Sequence, residues 1–348
     1  MQILITGNMG YVGPVLVRHL RAQCPDTVLI GYDSGLFAHC LTGCDALPEA
    51  LLDRQVFGDV RTIDASLLAG CDTVVHLAAI SNDPMGDRFA AQTNEVNHLA
   101  SLRLAELARD AGVRSFVFAS SCSVYGAASA GARTEADSVA PISAYACSKI
   151  ATEHGLRQMD RAGMTVTCLR FATACGMSDR LRLDLVVNDF VACAMATGEI
   201  TVLSDGSPWR PLIDVTDMAR AIDWAVSRPA EQGGNMLVVN AGSDSWNFQV
   251  RDLAEAVVSQ VPGSTVSINR SAPPDRRSYR VNFSLFRSLA PEHQPVATLP
   301  GTIGRLRNGL AAMGFCDRRF REGRHIRLHV LSEHAAAGRI GPDIRMRY

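Results

Sequence analysis

The chain begins with an apolar segment, a glycine-rich turn and a segment of helical periodicity, and this order constrains its fold most strongly. Gln2–Ile5 is typical of a short buried strand, and Tyr11–Leu20 has the periodicity of a helix. Gly7, Gly10 and Gly13 lie in the turn and at the helix start. Glycine there permits a tight bend and close backbone approach to a pyrophosphate, whose charge the helix N-terminus favours. The sequence therefore predicts a dinucleotide site beside the first strand.

An acidic residue ends the second predicted strand. Val28–Tyr32 leads into Asp33, which stands twenty residues after Gly13. A carboxylate at this position accepts hydrogen bonds from the adenosine ribose hydroxyls and repels a 2′-phosphate. We therefore expect NAD rather than NADP as the cofactor.

Strand-like and helix-like segments alternate through the first half of the chain, which is typical of a parallel sheet covered by helices on both faces. Further predicted strands are Val56–Val60, Thr73–Ala79, Ser115–Ser120 and Thr165–Phe171, with a long predicted helix at Phe89–Ala111.

The pattern becomes less regular after Gly176. Single predicted strands at Ile200–Leu203, Met236–Asn240 and Val266–Asn269 are separated by predicted helices at Asp217–Val226 and Val250–Val261. We predict an α/β protein with a Rossmann-like, doubly wound parallel sheet and a smaller α/β substrate-binding domain in the C-terminal half. The predicted division is an NAD-binding domain at 1–175, a mainly substrate-binding domain at 176–290 with segments returning to the core, and a helical tail at 291–348.

A tyrosine stands four residues before a lysine in Tyr145-Ala146-Cys147-Ser148-Lys149. On a helix this spacing places both side chains on one face. We expect the Lys149 ammonium to lower the pKa of Tyr145 from about 10 towards neutrality. A phenolate can take the proton of a sugar or alcohol hydroxyl while hydride leaves the carbon. The serine-rich run Ser120–Gly126 lies just upstream and strengthens this interpretation.

Composition excludes several classes of function. The chain has 348 residues, of which 47% are hydrophobic, so it can bury a large core, and its formal net charge of −1 gives no basic footprint for nucleic acid. The ten cysteines form no CxxC pair, and His39, Cys40 and Cys44 lack a fourth ligand, so we expect no metal site. Because Met1 leads directly into a strand and no apolar run approaches about 18 residues, we expect a cytoplasmic protein without a membrane span.

In order and spacing, these motifs resemble the extended short-chain dehydrogenase/reductases, and within them the NAD-dependent epimerase/dehydratase group that acts on nucleotide sugars. The resemblance runs from residue 1 to about 290 and also includes His76–Ala79 and Asn97. It implies that NAD is held by Gly7, Gly10, Tyr11, Val12, Gly13, Asp33, Asp59, Val60, Leu77, Ala78, Ala79, Asn97, Tyr145 and Lys149.

The same resemblance assigns the catalytic roles. Tyr145 would be the base, Lys149 would bind the nicotinamide ribose, and Ser121 would hydrogen-bond the reacting sugar hydroxyl. Arg210 matches the family arginine that grips the nucleotide diphosphate, a task that suits a guanidinium because it binds phosphate oxygens bidentately. The substrate-binding residues implied are Ser81, Ser121, Ser123, Thr173, Arg210, Arg276 and Arg277. For Ser81, which begins the segment Ser81–Asp87, a role in forming the turn is the open alternative to substrate contact.

The chain departs from the family pattern at three places. Cys122 and Ser123 stand where the sugar 4,6-dehydratases have Asp-Glu, so water elimination lacks its usual catalysts. Cys122 is then either an acid for proton exchange beside a transient ketone or a small residue packed under the loop. Thr173 replaces an asparagine that touches the diphosphate, and Arg276 and Arg277 either substitute for another family arginine or are only solvated.

The function favoured by the sequence is a nucleotide-sugar epimerase, most simply at C4, that works on a nucleotide-diphosphate sugar with tightly bound NAD. An NAD(P)H-dependent ketosugar reductase uses the same residues, and an epimerase at a carbon next to a transient ketone is a further alternative. A third class, a dinucleotide-sensing protein without catalysis, usually lacks the tyrosine or the lysine. We expect a homodimer.

Overall fold

A seven-stranded parallel sheet forms the centre of the structure, a computed structural model that describes residues 1–127, 131–269, 271–272 and 278–347. Its strand order is β3-β2-β1-β4-β5-β7-β11. The strands are β1 (Gln2–Thr6), β2 (Val28–Asp33), β3 (Arg54–Phe57), β4 (Thr73–His76), β5 (Ser115–Ser121), β7 (Thr165–Phe171) and β11 (Met236–Ala241). The chain runs outward in opposite directions from β1 and β4, so a ligand crevice is expected at their carboxyl ends.

Helices cover both faces of the sheet. Along β1, Ile3 and Ile5 belong to one hydrophobic cluster and Leu4 to the other, as the two-residue period of a strand requires. The helices are α1 (Gly13–Gln23), α2 (Asp83–Arg88), α3 (Ala90–Asn94), α4 (Ala100–Asp110), α5 (Ala144–Gln158), α6 (Val186–Thr197), α7 (Val215–Ser227), α8 (Val250–Gln260), α9 (Ser284–Leu289), α10 (Leu299–Ala312) and α11 (Arg327–Ala336).

Three small sheets lie mainly in the second half of the chain. Their strands are β6 (Ala132–Arg133), β8 (Thr173–Cys175), β9 (Glu199–Val202), β10 (Trp209–Asp214), β12 (Asn247–Gln249), β13 (Thr265–Ile268) and β14 (Arg280–Val281). They pair in the orders β12-β10-β8, β13-β9 and β14-β6. The strand β11 joins the large sheet beside β7, so a segment from beyond residue 175 does return to the core. The three-part division itself stays a prediction.

The helix expected at Phe89–Ala111 is interrupted. A π-helical turn, Glu95–Leu99, separates α3 from α4. Inside this turn Asn97 donates to the Ile80 carbonyl at 2.9 Å and accepts from the Ile80 N–H at 2.8 Å. The turn therefore aims one side chain at the connection after β4, a use for which such irregular turns are common.

The C-terminal segment, here residues 315–347, packs against the connections that follow β2 and β4. It contains α11 and a short loop closed by a bridge between Ile340 and Met346. Leu331, Ile340 and Ile344 form a hydrophobic cluster with Ile80 and Met85. Among the described residues, no helix has the length and apolar character needed to cross a membrane.

Candidate active site

A cavity of about 780 Å³ opens at the carboxyl ends of β1, β4 and β5, where the strand order predicts a ligand crevice. The connections that follow these strands form part of its wall, and helices and the C-terminal segment form the rest. Of the residues predicted from the sequence, those that line it are Gly7, Gly10, Tyr11, Val12, Asp33, Asp59, Val60, Leu77, Ala78, Ala79, Ser81, Ser121, Ser123, Tyr145, Lys149, Thr173 and Arg210.

The glycine-rich turn has the shape that a dinucleotide requires. Gly7 has a φ of +76°, and a Cβ there would lie 2.5 Å from the Ala78 nitrogen. A Cβ on Gly10 would meet only the Gly7 carbonyl, so this glycine leaves its cavity side open. Gly13 does not line the cavity; a side chain there would collide with Asn8, which makes it a packing glycine. The turn therefore fits a pyrophosphate at the start of α1.

Two acidic residues lie at neighbouring strand ends. Asp33 accepts hydrogen bonds from the N–H groups of Met9 at 3.0 Å and Gly35 at 2.8 Å, and it forms no salt bridge with a described residue. Burial raises the pKa of its carboxyl group. Asp59 is instead paired with Arg61, whose Nη2 lies 2.6 Å from its Oδ2. A carboxylate has about four acceptor sites, so Asp33 can also accept from ribose hydroxyls.

Tyr145, Lys149 and Ser121 meet in the cavity as predicted, but the electrostatics differ from the expectation. The Lys149 Nζ donates to the Ala119 carbonyl at 2.7 Å and lies 5.5 Å from the centre of the Tyr145 ring. Burial raises the pKa of Tyr145 to about 12, opposed by a hydrogen bond with Ser121 and the charge of Arg182. Burial also lowers the pKa of Lys149 to about 7. We predicted that Lys149 lowers the pKa of Tyr145, but in the structure this pKa is raised.

Arg182 is a site residue that the sequence reasoning missed. It lies in the loop before α6, lines the cavity and is 8% exposed. It donates to Ser81 Oγ at 3.0 Å and pairs with Asp184 at 2.9 Å. The segment Asp179–Asp184 contains charged residues interspersed with leucines. This pattern does not predict that Arg182 lies near Tyr145, which belongs to another helix.

Cys122 lies outside the cavity. Its side chain is 0% exposed, and its thiol donates to the Arg170 carbonyl at 3.1 Å. Burial raises the pKa of this thiol, which disfavours the thiolate. These observations argue against proton transfer and favour the packing alternative. The neighbouring Ser123 does line the cavity, and its buried hydroxyl has no hydrogen-bond partner among the described residues.

Asn97 also lies outside the cavity, contrary to its predicted contact with the cofactor. It is 0% exposed and donates to Ser148 Oγ at 3.1 Å in addition to its bonds with Ile80. Its carboxamide hydrogen-bonds the backbone N–H and carbonyl of Ile80, a residue that does line the cavity. Asn97 therefore positions the connection after β4 instead of contacting a ligand.

The far end of the cavity is built by β8 and β10. Their register pairs Leu212 with Thr173, which places Thr173 and Arg210 on adjacent strands. Tyr279, which sequence reasoning did not select, also lines this end and is 7% exposed. Arg276 and Arg277 lie outside the described residues.

Comparison with known proteins identifies the family to which the chain is similar. Residues 3–242 match the family model described as the NAD dependent epimerase/dehydratase family. An uncharacterized UDP-glucose epimerase, YtcB of Bacillus subtilis, is 31% identical over 240 residues, which are 66% of this chain and 73% of YtcB. A dTDP-glucose 4,6-dehydratase of Streptomyces niveus is 26% identical over 82% of this chain and 84% of its own.

A solved structure gives the same result. MoeE5 in complex with UDP-glucuronic acid and NAD superposes with a TM-score of 0.74 and 25% identity, over 89% of this chain and 99% of MoeE5. The chain therefore belongs to the NAD-dependent epimerase/dehydratase family of extended short-chain dehydrogenase/reductases.

Proposed function

We propose that this protein is a nucleotide-sugar epimerase, most simply at C4, that retains NAD throughout the cycle. One observation carries the proposal: Ser121 and Tyr145 line the same cavity and Ser121 lowers the pKa of the Tyr145 phenol, whereas the next two residues provide no carboxylate. Cys122 is buried in the core and Ser123 offers only a hydroxyl. The chain thus keeps the groups that move a hydroxyl proton and lacks the pair used for elimination.

The chain's own residues hold and move one proton. Tyr145 would take the proton of the sugar hydroxyl and later return it, and Ser121, which lines the cavity beside the phenol, would orient that hydroxyl by hydrogen-bonding it. The charge of Arg182 favours the phenolate and opposes the effect of burial. When bound, NAD supplies a hydride acceptor and donor at the sugar carbon. Because the hydride that leaves the sugar carbon would be returned to it, the reaction needs no external reductant, and the proton that Tyr145 gives back balances the one it removed.

The substrate would bind with its diphosphate against the cavity wall that β8 and β10 form. Arg210 and Thr173 line this end, and a guanidinium binds phosphate oxygens bidentately. Relatives named for UDP-glucose and dTDP-glucose, and a neighbour that binds UDP-glucuronic acid, support a nucleotide-diphosphate hexose as the substrate class. For inversion at C4, the sugar must turn within the cavity between removal and return of the proton.

A second candidate, proton exchange at a carbon next to a transient ketone, is favoured by Asp83. This residue lines the cavity, accepts a hydrogen bond from Ser143 Oγ at 2.6 Å, and is close enough to Tyr145 to raise the pKa of its phenol. Asp83 is therefore a carboxylate beside the proposed base. Such a group could serve epimerisation at C3 or C5.

The test is incubation in D2O with UDP-, GDP-, dTDP- and CDP-hexoses, without added reductant, followed by NMR of the products. The expected product is an epimer that carries no deuterium on carbon. Deuterium next to the oxidised carbon would select the second candidate, and Asp83→Asn compared with Cys122→Ala would then identify the group responsible. A stable 4-keto-6-deoxy sugar would contradict epimerisation, and a product formed only with stoichiometric NADH or NADPH would indicate a reductase.

A further inference from the structure

Three arginines converge beside the cavity, and one of them forms no salt bridge with a carboxylate of the described residues. Arg180 pairs with Glu49 at 2.6 Å and Arg182 pairs with Asp184 at 2.9 Å. Arg327 of α11 is 2% exposed and lines the cavity, yet it forms no salt bridge with a described residue. Its Nη1 and Nη2 donate instead to the carbonyl oxygens of Arg324 at 3.2 Å and Arg180 at 2.8 Å.

A buried guanidinium in this setting favours an anionic ligand. Burial and the charges of Arg182 and Arg180 lower the pKa of Arg327 to about 10, although Cys40 and Asp184 oppose them. Carbonyl oxygens accept hydrogen bonds but do not neutralise a charge, and a desolvated charge is unfavourable without a counter-ion. An anion beside Arg327 would supply that counter-ion.

The position of Arg327 indicates which anion. Its guanidinium lies 5.0 Å from the centre of the Phe37 ring, four residues after Asp33 on the connection that follows β2. In the same helix, His334 hydrogen-bonds the Leu36 carbonyl at 2.8 Å. Arg182, which acts on the pKa of Arg327, also acts on that of Tyr11 at the start of α1. Arg327 is thus on the dinucleotide side of the cavity, near the helix start that suits a pyrophosphate.

The end of the same segment closes the cavity beside Asp59. Arg61, which holds Asp59, donates to the Asp343 carbonyl at 2.8 Å, and Gln92 donates to the Pro342 carbonyl at 2.9 Å. The next residue, Ile344, lines the cavity and has a φ of +59°, a conformation rare for a β-branched residue. The loop thus holds Ile344 in an unusual conformation at the cavity wall.

We propose that the C-terminal segment is part of the dinucleotide site: Arg327 binds the diphosphate of NAD and Ile344 covers its adenosine end. The segment must then move before the cofactor leaves, which would slow the release of NAD, as the proposed function requires. This inference rests on the proposed dinucleotide site but not on the sugar chemistry. It therefore concerns binding and release, which are measured without turnover.

The first experiment compares Arg327→Met with Arg324→Gln. Arg324 is exposed and lies three residues earlier, so the control removes the same charge from the same segment. On cofactor-depleted protein we expect Arg327→Met to weaken NADH and ADP-ribose binding about 10- to 100-fold, as for loss of a charge-assisted hydrogen bond. Adenosine, which has no diphosphate, should bind equally to all variants, and Arg327→Lys should recover part of the loss.

Two outcomes would overturn the inference. One is equal NADH affinity in Arg327→Met and Arg324→Gln; the other is weaker binding of UDP with unchanged binding of NADH, which would assign the arginine to the substrate diphosphate. Failure of the wild-type protein to bind NADH would instead refute the dinucleotide site itself.

The second experiment does not depend on Arg327. Ile344 and Ile340 are both 5% exposed and belong to one loop, but only Ile344 lines the cavity. We expect Ile344→Ala to accelerate NADH release about tenfold. Ile340→Ala should leave the release rate unchanged even if it destabilises the fold to the same extent. Equal release rates in the two variants would contradict a covering role.

Discussion

Asp33 should determine the choice between NAD and NADP, because its carboxylate faces the cavity and no described residue pairs with it in a salt bridge. The carboxylate lines the cavity, accepts two backbone N–H bonds and forms no salt bridge with a described residue. Asp33→Asn keeps the shape and most hydrogen-bonding capacity of the side chain but removes its charge. The substitution therefore isolates the electrostatic contribution to cofactor choice.

The expected magnitude follows from Coulomb's law. Two unit charges about 4 Å apart repel by about 4 kcal/mol at an effective dielectric constant of about 20. Even half of this repulsion corresponds to about 30-fold in affinity. We expect the wild-type protein to bind NADH at least ~30-fold more tightly than NADPH, and Asp33→Asn to reduce the ratio to within about threefold.

The pH dependence has a definite sign. Burial raises the pKa of Asp33, so the neutral form gains population as the pH falls. Neutral Asp33 does not repel a 2′-phosphate, so the preference of the wild-type protein for NADH should shrink as the pH is lowered from about 8 towards the raised pKa of this carboxyl group. The preference of Asp33→Asn should change less over this range.

The assay is a fluorescence titration of cofactor-depleted protein with NADH and NADPH across this pH range. Asp59→Asn is the matched control, since Asp59 lies at the next strand end but its charge is neutralised by Arg61. Its ratio of affinities should stay near the wild-type value. A preference for NADH that survives Asp33→Asn at full size would refute the electrostatic reasoning.

Two further predictions concern the reacting groups. Tyr145→Phe removes the phenolic hydroxyl that would exchange the proton, so turnover should fall about 10²- to 10⁴-fold while NADH still binds. Activity within a few-fold of the wild-type value would exclude Tyr145 as the base. Cys122→Ala removes a thiol buried in the core, so it should lower the thermal unfolding midpoint but keep turnover within about threefold. A loss of turnover as large as that of Tyr145→Phe would instead place the thiol in the reaction.

Local sequence patterns predicted the fold well. The strand–turn–helix at the N-terminus and the alternation that followed it are properties of short segments, and β1, β2, β5 and β7 lie within a residue of their predicted bounds. The predicted family, fold and NAD dependence are confirmed by the comparisons. Within the site, Asp33 and Tyr145 both line the cavity because strand ends and helix faces are fixed by backbone periodicity.

Patterns did not reveal what each side chain contacts after folding. Asn97 was expected to touch the cofactor, but the π-helical turn aims its carboxamide at the Ile80 backbone. Cys122 lies between two residues that line the cavity, yet its own side chain is buried in the core. Its thiol donates to the backbone carbonyl of Arg170 in the adjacent strand β7. In both cases a residue that lines the cavity and a residue that is buried in the core are direct neighbours in sequence. Motif spacing alone does not show which of the two neighbours faces the cavity.

The electrostatics of Tyr145 depend even more on the fold. The sequence offered Lys149 as the charge that tunes the phenol because the two are one helical turn apart. In the structure the ammonium is bonded to the Ala119 carbonyl, and burial outweighs the hydrogen bond with Ser121 and the charge of Arg182, 37 residues away in sequence. Burial and a guanidinium that is distant in sequence thus both act on the pKa of this phenol. The pair Tyr145–Lys149 therefore identifies where the chemistry occurs, whereas the pKa of the phenol depends mainly on its burial and is lowered by Ser121 and by Arg182 in the loop before α6.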